Sequence, residues 1–307
     1  MREISAAKII ETVAELCIRA NIHADPGICN AIKQARIRET SPLAKSAIDV
    51  ILENMEVAKA ENMPICQDTG MVVVFADIGE NVRVVTTSNK DFAGSPAAGA
   101  PTESHKSGFS DKPASLITMA INEGVRRGYK DGYLRASVVG DPISRKNTED
   151  NTPAVIHYNI VPGENIKLTV MPKGFGSENK GGIKMLTPSS GLNGVEDFVV
   201  DVVRKAGPDP CPPIVVGVGI GGTMEKAALL SKEALAQMFE KNIDPVWADV
   251  ESRLLEKINA LNIGAAGFKG STTAIGVRVL TYPTHIAGLP VAVNIGCHVS
   301  RHVSATI

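Results

Sequence analysis

Residues 64–70 read Pro-Ile-Cys-Gln-Asp-Thr-Gly and put a thiol, an amide, a carboxylate and a hydroxyl on four successive residues, Cys66, Gln67, Asp68 and Thr69. Pro64 has no backbone N–H and Gly70 tolerates conformations closed to other residues, so the stretch predicts a loop rather than a helix. The apolar run Met71 to Ala76 follows and predicts a buried strand. The polar cluster is therefore expected at a strand edge, where sites are commonly built on loops carried by rigid elements. Read alone, the same stretch is equally a polar turn with an incidental cysteine.

The rest of the chain bounds what such a loop can serve. Its 307 residues allow one large domain or two, and a single domain over 1–307 is expected, with a helical part at 1–62. Hydrophobic residues at 44 % and charged residues at 21 % supply a core of ordinary globular kind. A net charge of −1, with aromatics at only 4 % and no basic run interleaved with them, gives no general attraction to nucleic acid or an anionic membrane. No apolar run approaches the ~18 residues of a membrane span. The N-terminus lacks a basic region followed by an apolar one, so no secretory signal is expected and a cytoplasmic protein is. Five cysteines, Cys17, Cys29, Cys66, Cys211 and Cys297, are an odd number that argues against a disulfide framework.

Ile9, Ile10, Val13, Leu16 and Cys17 recur at helical spacing. Asp25-Pro26 and Ser41-Pro42 each pair an N-cap with proline at the first helical position, and predict two further helices, the second reaching about Glu61. Cys17 and Cys29 fall in these helices and read as core thiols. Strands are expected at 71–78 and 82–86. Asn89 to Ser115 is rich in Gly, Ala, Ser, Pro and Lys without a period, and predicts a long exposed loop. A helix is expected at 116–128. Two strands at 154–161 and 166–171 should form a hairpin across Pro162-Gly163-Glu164-Asn165. A glycine-rich polar loop at 172–182 precedes a helix at 195–205, a strand at 214–218, helices at 225–241 and 246–261, and strands at 274–282 and 290–295. Helices first, then mixed strands and helices with an antiparallel hairpin, predict an α+β fold.

Cys66, Cys211 and Cys297 share a setting, each in a short loop at the border of an apolar strand. None belongs to a Cys-x-x-Cys pair, which disfavours structural zinc. Three scattered thiolates suit an iron–sulfur cluster in which one iron lacks a protein thiolate and can act as a Lewis acid. Three buried thiols at strand ends fit the same spacing. His285, in Pro283-Thr284-His285, stands twelve residues before Cys297 and is the candidate acid or base; His298 and His302 read as structural. The glycines of Lys173-Gly174-Phe175-Gly176-Ser177-Glu178-Asn179-Lys180 let backbone amides approach an anion, and Arg135 offers a guanidinium to a carboxylate. Gly217-Val218-Gly219-Ile220-Gly221-Gly222 fits the dinucleotide fingerprint. The acidic residue the fingerprint wants would be Asp244, which lies between two predicted helices rather than at the end of a second strand.

In combination, PICQDTG at 64–70, LRASVVGDPISRKNTEDNTP at 134–153, KGFGSENK at 173–180, CPPIVVGVGIGGT at 211–223 and PTHIAGLPVAV with CH at 283–298 resemble the alpha subunit of the two-subunit class I fumarate hydratases, which are similar to the L-tartrate dehydratase alpha subunits. The resemblance implies a hydro-lyase with a four-iron four-sulfur cluster held by Cys66, Cys211 and Cys297. It gives substrate contacts to Gln67, Asp68, Arg135, Gly174 and Gly176, and catalytic roles to His285 and Asp68. Reversible hydration of fumarate to L-malate is the implied reaction, and dehydration of L-tartrate or a related hydroxy-dicarboxylate is the alternative. A nicotinamide oxidoreductase and a zinc-stabilised binding module are rivals of different class. Phe175 stands where many relatives carry a third glycine, and 89–115 looks like an insertion. The chain ends at Ile307, directly after the last cysteine motif. The expectation is therefore a separate beta subunit that supplies the remaining groups, in a dimer of alpha chains or an alpha-two beta-two assembly.

Overall fold

Helix α1 (Ala6–Ile22) begins where the Ser5 hydroxyl accepts the Lys8 N–H, and it buries Ile9, Ile10, Val13, Leu16 and Cys17, the residues that the helical spacing picks out. A computed structural model describes residues 1–86, 92 and 114–307. The fold is α+β, and the described chain divides into two compact units. The first unit comprises Met1–His23, Asn62–Lys173 and Arg301–Ile307; the second comprises Ala24–Glu61 and Gly174–Ser300. The expected loop over 89–115 lies outside the described residues except for Phe92, Ala114 and Ser115; Ser115 caps the following helix. No helix among the described residues is long and apolar enough to cross a membrane.

In the first unit, β1 (Arg2–Ser5) pairs in parallel with β3 (Val82–Val85). A second sheet runs in the order β10 (Val303–Thr306), β5 (Ile166–Lys173), β2 (Met71–Gly79), β4 (Val155–Val161). Helices α1 and α4 (Leu116–Asp131) share one apolar core with β2 and β5, which contribute Val72, Val74, Ala76, Ile166, Leu168 and Val170. Each fully buried Leu, Ile or Val is worth ~1.5–3 kcal/mol. One expectation needs correcting. Strands β4 and β5 do not form a hairpin: they flank β2, which pairs in parallel with β4 and antiparallel with β5. The end of β2 inserts between them, because the Gly79, Glu80 and Asn81 N–H groups donate to the carbonyls of Asn165, Val161 and Gly163.

In the second unit the sheet order is β6 (Gly182–Leu186), β9 (Leu289–Gly296), β7 (Ile214–Gly221), β8 (Ala274–Tyr282). The even residues of β7, Ile214, Val216, Val218 and Ile220, join α6 (Gly191–Ala206) and α8 (Pro245–Asn259) in one core. The opposite face meets α7 (Met224–Ala236). A Cβ on Gly217 would lie 2.2 Å from the Ser231 carbonyl, and one on Gly219 2.1 Å from the Ala227 carbonyl. Helices α2 (Pro26–Arg38) and α3 (Pro42–Ala60) start at the Asp25 and Ser41 caps that the sequence marks.

Candidate functional site

The Pro64–Gly70 loop belongs to the first unit and runs straight into β2. The Ile65 N–H donates to the Asn21 carbonyl at 2.9 Å, fastening the loop to the end of α1. Gly70 has φ = 79°, and a Cβ there would stand 2.7 Å from the Lys173 nitrogen, so only glycine fits this turn. The buried Tyr129 hydroxyl donates to the Thr69 and Gly70 carbonyls at 2.6 and 3.0 Å. Burial raises the pKa of this phenol and so preserves the proton it donates. The Asn151 side chain donates to the Gly70 carbonyl at 3.1 Å and accepts from the Ser137 N–H at 2.8 Å. One fully buried amide thus couples the 64–70 loop to the 134–153 segment.

The result is a paired presentation. The Thr69 hydroxyl donates to the Arg135 carbonyl at 3.0 Å, so the backbones carrying Asp68 and Arg135 are neighbours. Gln67 and Arg135 are exposed, while Cys66 and Asp68 are half-buried. The Asp68 carboxylate accepts the Gly70 N–H at 2.9 Å, and the Asp68 carbonyl accepts from the Arg301 guanidinium at 2.6 Å. A thiol, an amide, a carboxylate and a guanidinium therefore sit on two segments tied by buried hydrogen bonds.

Gly174, Gly176, Cys211, His285 and Cys297 lie in the second unit. The polar loop expected at 172–182 is not wholly a loop. Strand β5 continues to Lys173, α5 (Phe175–Glu178) forms a single turn, and β6 starts at Gly182. A Cβ on Gly176 would meet nothing within 4 Å, so this turn faces open space, and Phe175 is exposed beside it. Glu178 anchors the turn through Lys232 and through the Asn294 amide at 3.2 Å.

Cys211 has a left-handed φ of 55°, a conformation that costs a non-glycine residue ~1 kcal/mol or more. It precedes β7, and Cys297 follows the neighbouring β9. His298 joins the two loops: its Nδ1 lies 2.8 Å from the Cys211 carbonyl, and its backbone N–H donates to the same oxygen at 3.4 Å. Burial lowers the pKa of this imidazole, favouring the neutral ring. Sequence reasoning reads His298 as structural; nothing in the sequence announces that it would link two cysteine loops.

His285 is exposed on the β8–β9 connection. Its Nδ1 accepts the Ala287 N–H at 3.2 Å, which leaves the proton of the neutral ring on Nε2. It borders a cavity of about 410 Å³ whose other walls include Leu192, Ile220, Trp247 and Ile286.

The three cysteines suit a thiolate-bound metal group by their chemistry. None is in a disulfide, and each is half-buried or exposed. Burial raises the pKa of the Cys17 and Cys29 thiols, and Cys17 is wholly enclosed, which disfavours thiolate ligation there. Beside the Cys66 loop, the buried Arg301 Nε has no hydrogen-bond partner among the described residues, and its guanidinium offers charge to an anionic group there. Among the described residues, no group of three or more His, Cys, Asp or Glu side chains is gathered closely enough to hold a metal ion.

The model of the fumarate hydratase (Fumerase) family matches residues 10–103 and 98–306. The chain is 36 % identical over 300 residues to a Methanocaldococcus jannaschii protein named "Putative L(+)-tartrate dehydratase subunit alpha", covering 96 % of this chain and 95 % of that one. It is 28 % identical over 296 residues to the "L(+)-tartrate dehydratase subunit alpha" of Escherichia coli strain K12, covering 96 % and 89 %. The Shigella sonnei protein of the same name matches with the same identity and coverage.

Proposed function

The chain belongs to the fumarate hydratase (Fumerase) family, and from that premise we propose that it is the alpha-type chain of a hydro-lyase that interconverts fumarate and L-malate. The observation that carries this reading is the hydrogen-bonded junction of the Cys66–Gly70 loop with Arg135. A dicarboxylate needs a cation and polar groups carried on fixed backbone, and the junction fixes the backbone of both segments. Arg135 pairs with a substrate carboxylate through parallel N–H donors. The Gln67 amide and the open backbone at Gly174 and Gly176 add contacts to the substrate. Asp68 orients the reacting hydroxyl, and the Nε2 of His285 serves proton transfer or stabilises developing charge.

Cys66, Cys211 and Cys297 would hold a four-iron four-sulfur cluster. When bound, such a cluster supplies a Lewis acid at an iron without a protein thiolate, which turns a substrate hydroxyl into a better leaving group. The relatives' names as alpha subunits support a separate beta-type chain as partner, and the base that takes the C3 proton is assigned to it. Those names also favour a second reading, L-tartrate dehydration, on the same groups.

The test is anaerobic reconstitution with iron and sulfide, followed by turnover of fumarate, L-malate and L-tartrate with a beta-type chain present. Fumarate–malate turnover well above tartrate turnover supports the first reading, and the reverse supports the second. A wild-type protein that binds no iron and turns over neither acid overturns both.

A further inference from the structure

Among the described residues, four buried charged side chains have evident partners. Glu39 receives four backbone N–H groups, Glu123 meets Arg126 and Arg127, Glu196 meets Arg253 and Lys257, and Arg278 meets Glu251. Arg301 is 4 % exposed and, among the described residues, donates only to the Asp68 carbonyl, at 2.6 Å. Among the described residues its Nε has no hydrogen-bond partner and no carboxylate forms an ion pair with it. An unpaired buried cation costs several kcal/mol, so a protein that keeps one implies an anion that completes the site. The one group Arg301 holds is the backbone two residues from Cys66.

We propose that Arg301 is the positioning residue of the Cys66–Asp68 loop, and that the anion balancing its charge is the thiolate-bound iron–sulfur cluster. This rests on the functional reading above. A cubane held by three thiolates carries net negative charge, and a nearby guanidinium stabilises the assembled anion. Arg301 touches neither substrate nor iron in this assignment. It fixes the carbonyl of Asp68 and therefore the directions in which Cys66 and Asp68 point.

A charge-balancing Arg301 has opposite effects on the empty and loaded protein, which a merely structural arginine would not. The experiment uses full-length wild type, Arg301→Met and Arg301→Lys, reconstituted anaerobically with ferrous iron and sulfide. Iron loss to a ferrous chelator is followed by absorbance, and urea unfolding of the metal-free proteins by circular dichroism. Metal-free Arg301→Met should unfold at a midpoint equal to or above wild type, since an uncompensated buried charge has gone. The same variant should release iron at least tenfold faster, and Arg301→Lys, which keeps the charge but not the planar fork, should fall between. Wild-type iron retention in Arg301→Met overturns the proposal. So does a parallel drop in both metal-free stability and iron retention, which would mark Arg301 as ordinary packing. A wild-type chain that takes up no iron overturns the cluster reading itself, and is told apart by that control.

Discussion

Replacing Glu39 with glutamine tests how the second unit is held together. Glu39 is 1 % exposed at the end of α2. Its Oε1 accepts the N–H groups of Thr40, Ser41 and Ser271 at 2.8, 2.9 and 3.0 Å, and its Oε2 accepts that of Thr272 at 2.9 Å. Burial alone would raise this carboxyl, but the four N–H donors outweigh it and hold the pKa at about 2 against an ordinary 4.5. At ~1.4 kcal/mol per tenfold change in proton affinity, that difference corresponds to roughly 3 kcal/mol of stability. The sign follows from the depressed pKa: the contribution is complete above about pH 4.5 and is lost as pH falls toward 2. Glu39→Gln keeps one carbonyl acceptor and turns an NH2 group against a backbone donor, so at pH 7 it should cost roughly 3 kcal/mol.

The single tryptophan, Trp247, lies on α8 in the same unit, so its fluorescence during urea unfolding reports the relevant transition. With a denaturant slope of ~1–3 kcal/mol per molar, the midpoint should drop by roughly 1–3 M at pH 7. The gap between wild type and variant should hold from pH 7 to about 5 and then narrow toward pH 2. A gap under about 1 kcal/mol at pH 7, or one that does not change between pH 6 and 3, would refute the reasoning, since a four-donor anion site must show both size and titration.

Four further outcomes are expected. Tyr129→Phe removes the donor to two carbonyls of the site loop and should cost ~1–3 kcal/mol; amide exchange across 64–70 should quicken, and unchanged exchange would contradict the anchoring role. Gly219→Ala forces a Cβ to within 2.1 Å of the Ala227 carbonyl and should destabilise the second unit by ~3 kcal/mol or more, read from Trp247 unfolding. Cys66→Ser, Cys211→Ser and Cys297→Ser should each abolish loading of about four irons per chain, while Cys17→Ser and Cys29→Ser should not; full loading in Cys211→Ser would sink the ligand assignment. The reconstituted chain should be inactive alone and gain turnover when a beta-type chain is added, whereas equal rates with and without it would place the whole catalytic set in this chain.

Much of the fold is legible because local chemistry and tertiary structure agree. Asp25-Pro26 and Ser41-Pro42 state helix starts outright, and the Ile9, Ile10, Val13, Leu16 face is buried as its spacing demands. The misses share one cause, which is that they are decided by distant partners. Strand β1 exists through parallel pairing with β3, and β10 through pairing with β5 across some 130 residues. The Pro162–Asn165 segment carries turn chemistry, but what lies beside β4 depends on where β2 inserts. The candidate site follows the same division. Cys66, Gln67, Asp68 and Arg135 are readable as residue types, and the structure brings their segments together through Thr69, Tyr129 and Asn151. Arg301 carries no local motif, and only its burial and its contact with the Asp68 carbonyl single it out.

The glycines of Gly217-Val218-Gly219-Ile220-Gly221-Gly222 show how one pattern can answer two physical demands. A dinucleotide loop uses glycine so that backbone can approach pyrophosphate at a helix N-terminus. Here Gly217, Gly219 and Gly221 lie within β7, and the first two are empty of side chain because α7 occupies that space. Gly221 has φ = 92° and would clash with the Tyr282 carbonyl if it carried a Cβ. Asp244 is not available as a ribose ligand in that scheme, since its carboxylate caps α8 by accepting the Val246 N–H at 2.9 Å. The spacing of small residues along a strand therefore records helix–sheet contact distance on one face, and the alternating Val216, Val218 and Ile220 fill the core on the other. A glycine motif points to phosphate only when its glycines leave the strand and open onto solvent; on this strand the approach of α7 accounts for Gly217 and Gly219, and the left-handed turn against Tyr282 accounts for Gly221.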